Sequence, residues 1–80
     1  MTQEPSVKLP DEPSPSQKLV YDLEAYKRRL GRYFDKATDH HQRVWFFNRY
    51  NETENMIQML CDKCGVKRKY KPHKLDINNI

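Results

Sequence analysis

Two cysteines separated by two residues, Cys61 and Cys64, have the spacing of a half zinc site. Two thiolates from one tight turn can reach the same tetrahedral ion, and Gly65 after them lets the backbone tighten around the sulfur atoms. Three other interpretations stay open: two small apolar residues near the core, a redox dithiol, or a zinc ion shared between two chains.

A closed zinc site needs two further ligands, and neutral histidines are the available donors. His73 follows Cys64 by nine residues, which is a long but usable return. His40 and His41 are adjacent, so on a helix they point about 100° apart and only one can bind a given ion. His40 continues an apolar stripe, which makes His41 the better candidate. The predicted zinc ligands are therefore Cys61, Cys64, His73 and His41.

A run of basic residues follows the cysteines. Residues 61–80 carry six basic and two acidic side chains. Clustered cations gain free energy by releasing counterions from a nucleic-acid backbone, although a solvated tail would have the same composition. The predicted nucleic-acid contacts are Lys67, Arg68, Lys69, Lys71 and Lys74, together with Arg43 and Arg49, which flank an aromatic cluster.

The aromatic cluster is the stretch Val44-Trp45-Phe46-Phe47. Four consecutive large apolar residues cover most of the circumference of a helix, so one packed face cannot bury all of them. Phe47 is expected in the core, which leaves Trp45 and Phe46 for a protein partner, a second copy of the chain, or stacked bases.

Catalytic chemistry has little support. Gly31 and Gly65 are the only glycines, so no glycine-rich phosphate loop exists, and no nucleophile has a base at a recognisable spacing. We therefore expect a protein that is not an enzyme and has no small-molecule substrate.

Helices must position these residues. After Ser16, a good N-cap, the apolar residues fall at a 4-3-4-3-4 spacing, which predicts an amphipathic helix. Asp39 with Gln42, and Asn51 with Glu54, resemble capping boxes, so breaks are expected near 38–39 and 50–52. Gly65 is expected to end the last helix, because glycine suits the left-handed position just past a helix end. The stripe of the first helix is Leu19, Leu23, Tyr26, Leu30, Tyr33 and Ala37, with Gly31 off the stripe. Val20 and Phe34 widen this stripe to the breadth of a helix that faces a core.

The ends of the chain differ from this middle. Four of the five prolines lie in residues 1–15, which predicts a disordered acidic arm. No apolar run reaches the roughly 18 residues of a membrane span, and the start lacks the apolar core of a signal peptide. Because two cysteines this close make a poor structural disulfide, an intracellular location, cytoplasmic or nuclear, is expected.

The sequence thus predicts a mostly α-helical protein, with two or three helices packed as a hairpin or bundle. The predicted organisation is a disordered arm (1–15), a helical domain (16–65) and an extended basic tail (66–80), with a zinc staple as an option. The first functional hypothesis is a small nucleic-acid-binding regulatory module. The alternative is an adaptor, inhibitor or small subunit without metal that binds a protein partner, or forms a homodimer, through Trp45 and Phe46.

Overall fold

The computed structural model of the chain describes residues 14–80, except for the side chain of Asn79. Helix α1 (Pro15–Lys36) and helix α2 (His40–Cys64) pack against each other as a hairpin. A short 3-10 helix (Ile77–Asn79) lies near the C-terminal end. No strand occurs in these residues, so the mostly α-helical prediction is confirmed. The predicted disordered arm falls largely on residues 1–13, which lie outside the described part.

Helix α1 begins two residues earlier than predicted. The cap is Ser14 instead of Ser16, and its hydroxyl accepts a hydrogen bond from the backbone N–H of Gln17 at 3.1 Å. Pro15 then occupies the first helical position, where its fixed φ is favourable and its missing N–H costs nothing. The proline that was expected to belong to the arm therefore starts the helix.

The connection between the helices is held by local capping. The carboxylate of Asp39 accepts the backbone N–H of Gln42 at 3.0 Å, which confirms the predicted break. Arg43 Nη1 donates to the carbonyl oxygens of Phe34 and Ala37, at 2.8 and 3.1 Å. A cation at the carbonyl end of α1 also interacts favourably with the helix dipole.

The predicted break near residues 50–52 is wrong, because α2 continues to Cys64 and Gly65 ends it in the left-handed conformation (φ 67°). Asn51 and Glu54 do not cap a helix. Their side chains bind the segment that follows α2, since the Asn51 amide exchanges two hydrogen bonds with the backbone of Leu75. The polar residues that suggested a break are therefore contact sites for the C-terminal segment.

The interface between the helices is displaced by one residue from the predicted stripe of α1. The buried apolar residues are Val20, Leu30, Phe34 and Ile57; Leu30 belongs to the predicted 4-3 stripe, and Val20 and Phe34 are the residues predicted to widen it. Gly31, predicted to lie off the interface, faces α2: a Cβ atom there would lie 3.2 Å from the ring of Tyr50. The interface also buries four polar residues, which are Glu24, Lys27, Thr53 and Glu54.

Residues 65–76 form neither helix nor strand and run back along the hairpin. The Lys67 backbone N–H donates to the side chain of Gln17 at 3.0 Å. The carboxylate of Glu24 accepts the N–H groups of Lys69 and Tyr70, at 3.0 and 2.8 Å. We call this side of the hairpin the tail side. Within the described residues, neither helix has a stretch apolar and long enough to cross a membrane.

Candidate nucleic-acid interface

A buried ion cluster fixes the C-terminal segment to both helices. Glu54 on α2 accepts hydrogen bonds from Lys27 on α1, at 2.5 Å, and from Arg68 in the C-terminal segment, at 2.7 and 2.9 Å. Burial by itself raises the pKa of Glu54, but these hydrogen bonds and the two positive charges outweigh it and lower the pKa to about 2. The hydrogen bond to Glu54 in turn raises the pKa of Arg68.

A cavity of about 260 Å³ opens beside this cluster, between α1, α2 and the C-terminal segment. Four cations and one carboxylate line it, and the carboxylate, Glu24, already accepts two backbone N–H groups. Three aromatic side chains complete the wall. The lining residues are Lys27, Arg28, Arg68, Lys71, Glu24, Tyr50, Tyr70 and His73.

The three aromatic side chains of the cavity are held by contacts with neighbouring cations and, for Tyr50 and His73, with each other. The Tyr50 hydroxyl and His73 Nδ1 are 2.9 Å apart, and Lys27 Nζ lies 4.7 Å from the centre of the Tyr50 ring. Burial, with the nearby Glu54 charge, raises the pKa of Tyr50, so its hydroxyl stays protonated at neutral pH. Arg28 donates to the hydroxyl of Tyr70, and its guanidinium lies over the Tyr70 ring, 4.7 Å from the ring centre. Tyr70 is 46% exposed.

A second, shallower depression on α1 adjoins this cavity. Its lining includes Arg28, which the cavity shares, together with Arg29 and Arg32. The two depressions together bring six cationic side chains to one continuous surface with a single carboxylate in its lining. We call this surface the basic groove.

The predicted nucleic-acid contacts are distributed more widely than the basic groove. Lys71 and Arg68 line it, although Arg68 is engaged by Glu54. The exposed side chains of Lys67, Lys69 and Lys74 belong to the same C-terminal segment. The remaining two lie elsewhere: Arg43 binds the carbonyl end of α1, and Arg49 lies over the ring of Trp45 at 4.8 Å.

The contribution of α1 to this surface was not predicted from the sequence. Lys27, Arg28, Arg29 and Arg32 were not assigned to a site, because a cationic helix face is ordinarily a solvated surface. The available signal was the charge of residues 18–37, which carry six basic and three acidic side chains. Charge density alone does not reveal which of these cations the C-terminal segment lies beside.

The four predicted zinc ligands do not form one site. His41 and Cys61 are on the same continuous helix, twenty residues and so about 30 Å apart. His73 binds Tyr50, which is about 16 Å along α2 from Cys61. No cluster of three or more metal-binding side chains occurs between residues 14 and 80. Cys61 is half-buried, Cys64 is exposed, and burial raises the pKa of the Cys61 thiol.

The predicted partner-binding aromatics lie near the connection between the helices. The Trp45 side chain is 49% exposed. Phe46 packs edge-on against Trp45, with ring centres 5.3 Å apart, and lies 5.6 Å from the ring of Tyr33 on α1. These contacts link aromatic residues of both helices into one partly exposed cluster.

Comparison of the chain with known protein families, with characterised proteins and with solved structures gives no match. The arguments for function therefore come from the chemistry of these surfaces.

Proposed function

We propose that this chain is a small, non-enzymatic nucleic-acid-binding module and that single-stranded nucleic acid binds in the basic groove. The observation that carries the proposal is the convergence of six cationic side chains, from α1 and the C-terminal segment, on one concave surface, where two of them, Lys27 and Arg68, are paired with Glu54. A phosphate backbone in this groove would release counterions, which is the main source of affinity in such complexes.

A single strand suits the basic groove better than a duplex. Both helices lie packed in the hairpin, and the groove is a depression, whereas duplex readout uses an element that projects into the major groove. The exposed ring of Tyr70 at the cavity offers a stacking surface for a base, which a single strand can present and a duplex keeps paired. Lys67, Lys69 and Lys74 would extend the phosphate contacts along the same strand.

The proposal does not depend on a zinc staple. The C-terminal segment is tied to the hairpin by Gln17, Glu24 and Glu54, so a metal is not needed to hold Lys71 at the groove. Zinc binding at Cys61 and Cys64 stays a separate prediction, and its further ligands would have to differ from His41 and His73.

The test measures binding of a labelled 15-nucleotide thymidine oligomer by fluorescence anisotropy at several salt concentrations. The double variant Arg32→Gln/Lys71→Gln removes two exposed cations of the basic groove. Loss of two phosphate contacts should reduce the slope of log affinity against log salt by about 1.4. The control Lys18→Gln/Lys63→Gln removes the same charge at the opposite end of α1 and at the end of α2.

We expect the control to keep the slope of the unmodified protein, and a duplex of the same length to bind more weakly than the single strand. Equal losses in both double variants would mean that only net charge matters. That result would overturn the proposal. Absence of binding by the unmodified protein at 50 mM salt would also overturn it, because the Debye length there is roughly 14 Å and charges are only weakly screened.

A further inference from the structure

Most of the exposed apolar side chains lie on the side of the hairpin opposite the tail side. Residues two positions apart on a helix point about 200° apart. Leu19 therefore points away from Gln17, and Met56 points away from both Glu54 and Gln58, which bind the C-terminal segment. We call this surface the apolar face; its residues are Leu19, Leu23, Tyr26, Tyr33, Trp45, Phe46, Met56 and Leu60.

The apolar face is open to solvent along its whole length. Leu19 and Tyr33 on α1 are 46% and 52% exposed, and Trp45 and Met56 on α2 are 49% and 41% exposed. The other four residues are half-buried. A run of neighbouring exposed apolar side chains on one side of a protein is typical of an interaction surface.

The spacing of the apolar residues on α1 indicates that the partner packed against this face is a helix. Leu19, Leu23, Tyr26, Leu30 and Tyr33 repeat at the 4-3 spacing of a coiled-coil seam. Within the hairpin α1 packs through a different row, one residue further along: Val20, Glu24, Lys27 and Phe34. Helix α1 therefore carries two seams; the hairpin buries the second seam and Leu30 of the first, and leaves the other four residues of the first seam at least partly exposed.

The charges beside the apolar face favour a second copy of the chain as that partner. Along α1 from Leu19 to Tyr33 the border carries Asp22 and Arg29, and along α2 from Trp45 to Met56 the exposed charges are Arg49 and Glu52. Two positive and two negative side chains give this surface no net charge, although the whole chain has a net charge of +4. Two such surfaces do not repel each other through net charge, which favours a two-fold symmetric contact because identical patches meet in it.

The area available is sufficient for a stable dimer. Helix α1 has 22 residues and is about 33 Å long. Two adjacent helices, each about 10 Å across, give a face of about 650 Å² per chain. Two copies would bury about 1,300 Å² in total, which lies within the range of stable interfaces. This additional burial is large compared with the hairpin's own core, whose buried apolar residues are Val20, Leu30, Phe34 and Ile57.

We propose that two copies of the chain associate through the apolar face to form a symmetric four-helix bundle. Left-handed packing at about 20° between helices accommodates the 4-3 spacing of α1. The tail sides, with their basic grooves, then lie on the two outer surfaces of the bundle. Dimerisation does not depend on nucleic-acid binding, and its test is made without nucleic acid.

Sedimentation equilibrium of the full chain between 1 and 100 µM (about 0.01–1 mg/ml for a domain of this class) tests the association. We expect a mass approaching twice the chain mass of 9.7 kDa at the upper concentration. The variant Leu19→Glu/Met56→Glu places one charge on each helix of the apolar face and should give a monomer. The control Asn48→Glu/Asn55→Glu adds the same charge to exposed positions of α2 outside the face and should remain dimeric.

A second measurement uses the unmodified protein, because the charged variant could lose helicity as well as association. Trp45 is the single tryptophan of the chain and lies in the apolar face. Dilution should shift its fluorescence emission to longer wavelength as the dimer dissociates, with circular dichroism at 222 nm unchanged. A monomeric mass at 100 µM would overturn the proposal, because it would mean a free energy of association weaker than roughly −5.5 kcal/mol. A dimer that Leu19→Glu/Met56→Glu leaves intact would also overturn it.

Discussion

The substitution Glu54→Gln tests whether the buried ion cluster holds the hairpin and the C-terminal segment together. The amide keeps the size of the side chain but removes the negative charge, which leaves Lys27 and Arg68 without their counterion. Both partners are largely buried, with 8% and 14% of their side chains exposed. Removing one member of a buried ion cluster destabilises strongly because the remaining charges stay desolvated.

The size of the effect follows from the pKa of Glu54. A carboxyl whose pKa falls from 4.5 to about 2 on folding contributes about 3 kcal/mol at neutral pH. Because the pKa is lower in the folded protein, this stabilisation is complete above about pH 4.5 and is lost as the pH falls towards 2. We expect Glu54→Gln to cost about 3 kcal/mol at pH 7, which for a domain of this size lowers Tm by about 12–24 °C.

Urea unfolding at pH 7 and pH 3, followed by circular dichroism, measures this difference. At pH 3 the difference between the unmodified protein and Glu54→Gln should fall to roughly half, since part of the stabilisation is already lost by protonation. Glu52→Gln is the matched control, because Glu52 is exposed on the same helix. A cost for Glu54→Gln that equals the cost for Glu52→Gln, or that is the same at both pH values, would refute the reasoning.

Two further predictions concern the packing of the hairpin and the metal. Gly31→Ala should not give the gain in stability of about 1 kcal/mol expected inside a helix, because its Cβ would lie 3.2 Å from the ring of Tyr50, whose hydroxyl is bound to His73. The larger substitution Gly31→Leu should destabilise the protein by about 1–3 kcal/mol. Thermal unfolding measures both variants, and a stabilised variant would contradict this contact. Addition of EDTA to the purified protein should change Tm by less than about 2 °C, because side chains of both helices already hold the C-terminal segment. A shift of this size corresponds to a change in stability of roughly a fraction of 1 kcal/mol. A fall of more than about 10 °C would instead support a structural metal at Cys61 and Cys64.

The open apolar face explains why the seam of α1 was misassigned by one residue. The regular 4-3 spacing of Leu19, Leu23 and Tyr26 was taken as the centre of the core-facing side of α1, with Val20 at its edge. In the hairpin that position is occupied by Val20 together with the charged pair Glu24 and Lys27, which the sequence gives no reason to bury. Their burial is acceptable because Glu54 and the N–H groups of the C-terminal segment satisfy them.

The basic groove could likewise be predicted only in part from the sequence. Clustered cations near the C-terminus were visible as composition, and Lys71 was among the nucleic-acid contacts predicted from them. The convergence of Arg28 and Arg32 with Lys71 depends on the C-terminal segment lying along α1, through contacts such as that between Gln17 and Lys67, fifty residues apart.

The sequence by itself determined the features that depend on near neighbours. Helix periodicity, the Asp39 cap that starts α2, and the glycine that ends it are each set within a few residues, because capping and backbone conformation are local. Only the tertiary structure decided that Asn51 and Glu54 continue a helix, since their partners Leu75 and Arg68 lie 24 and 14 residues further along the chain. The local sequence around a polar residue is the same whether its side chain caps a helix or binds a distant segment, and only the position of its hydrogen-bond partner in the folded chain distinguishes the two.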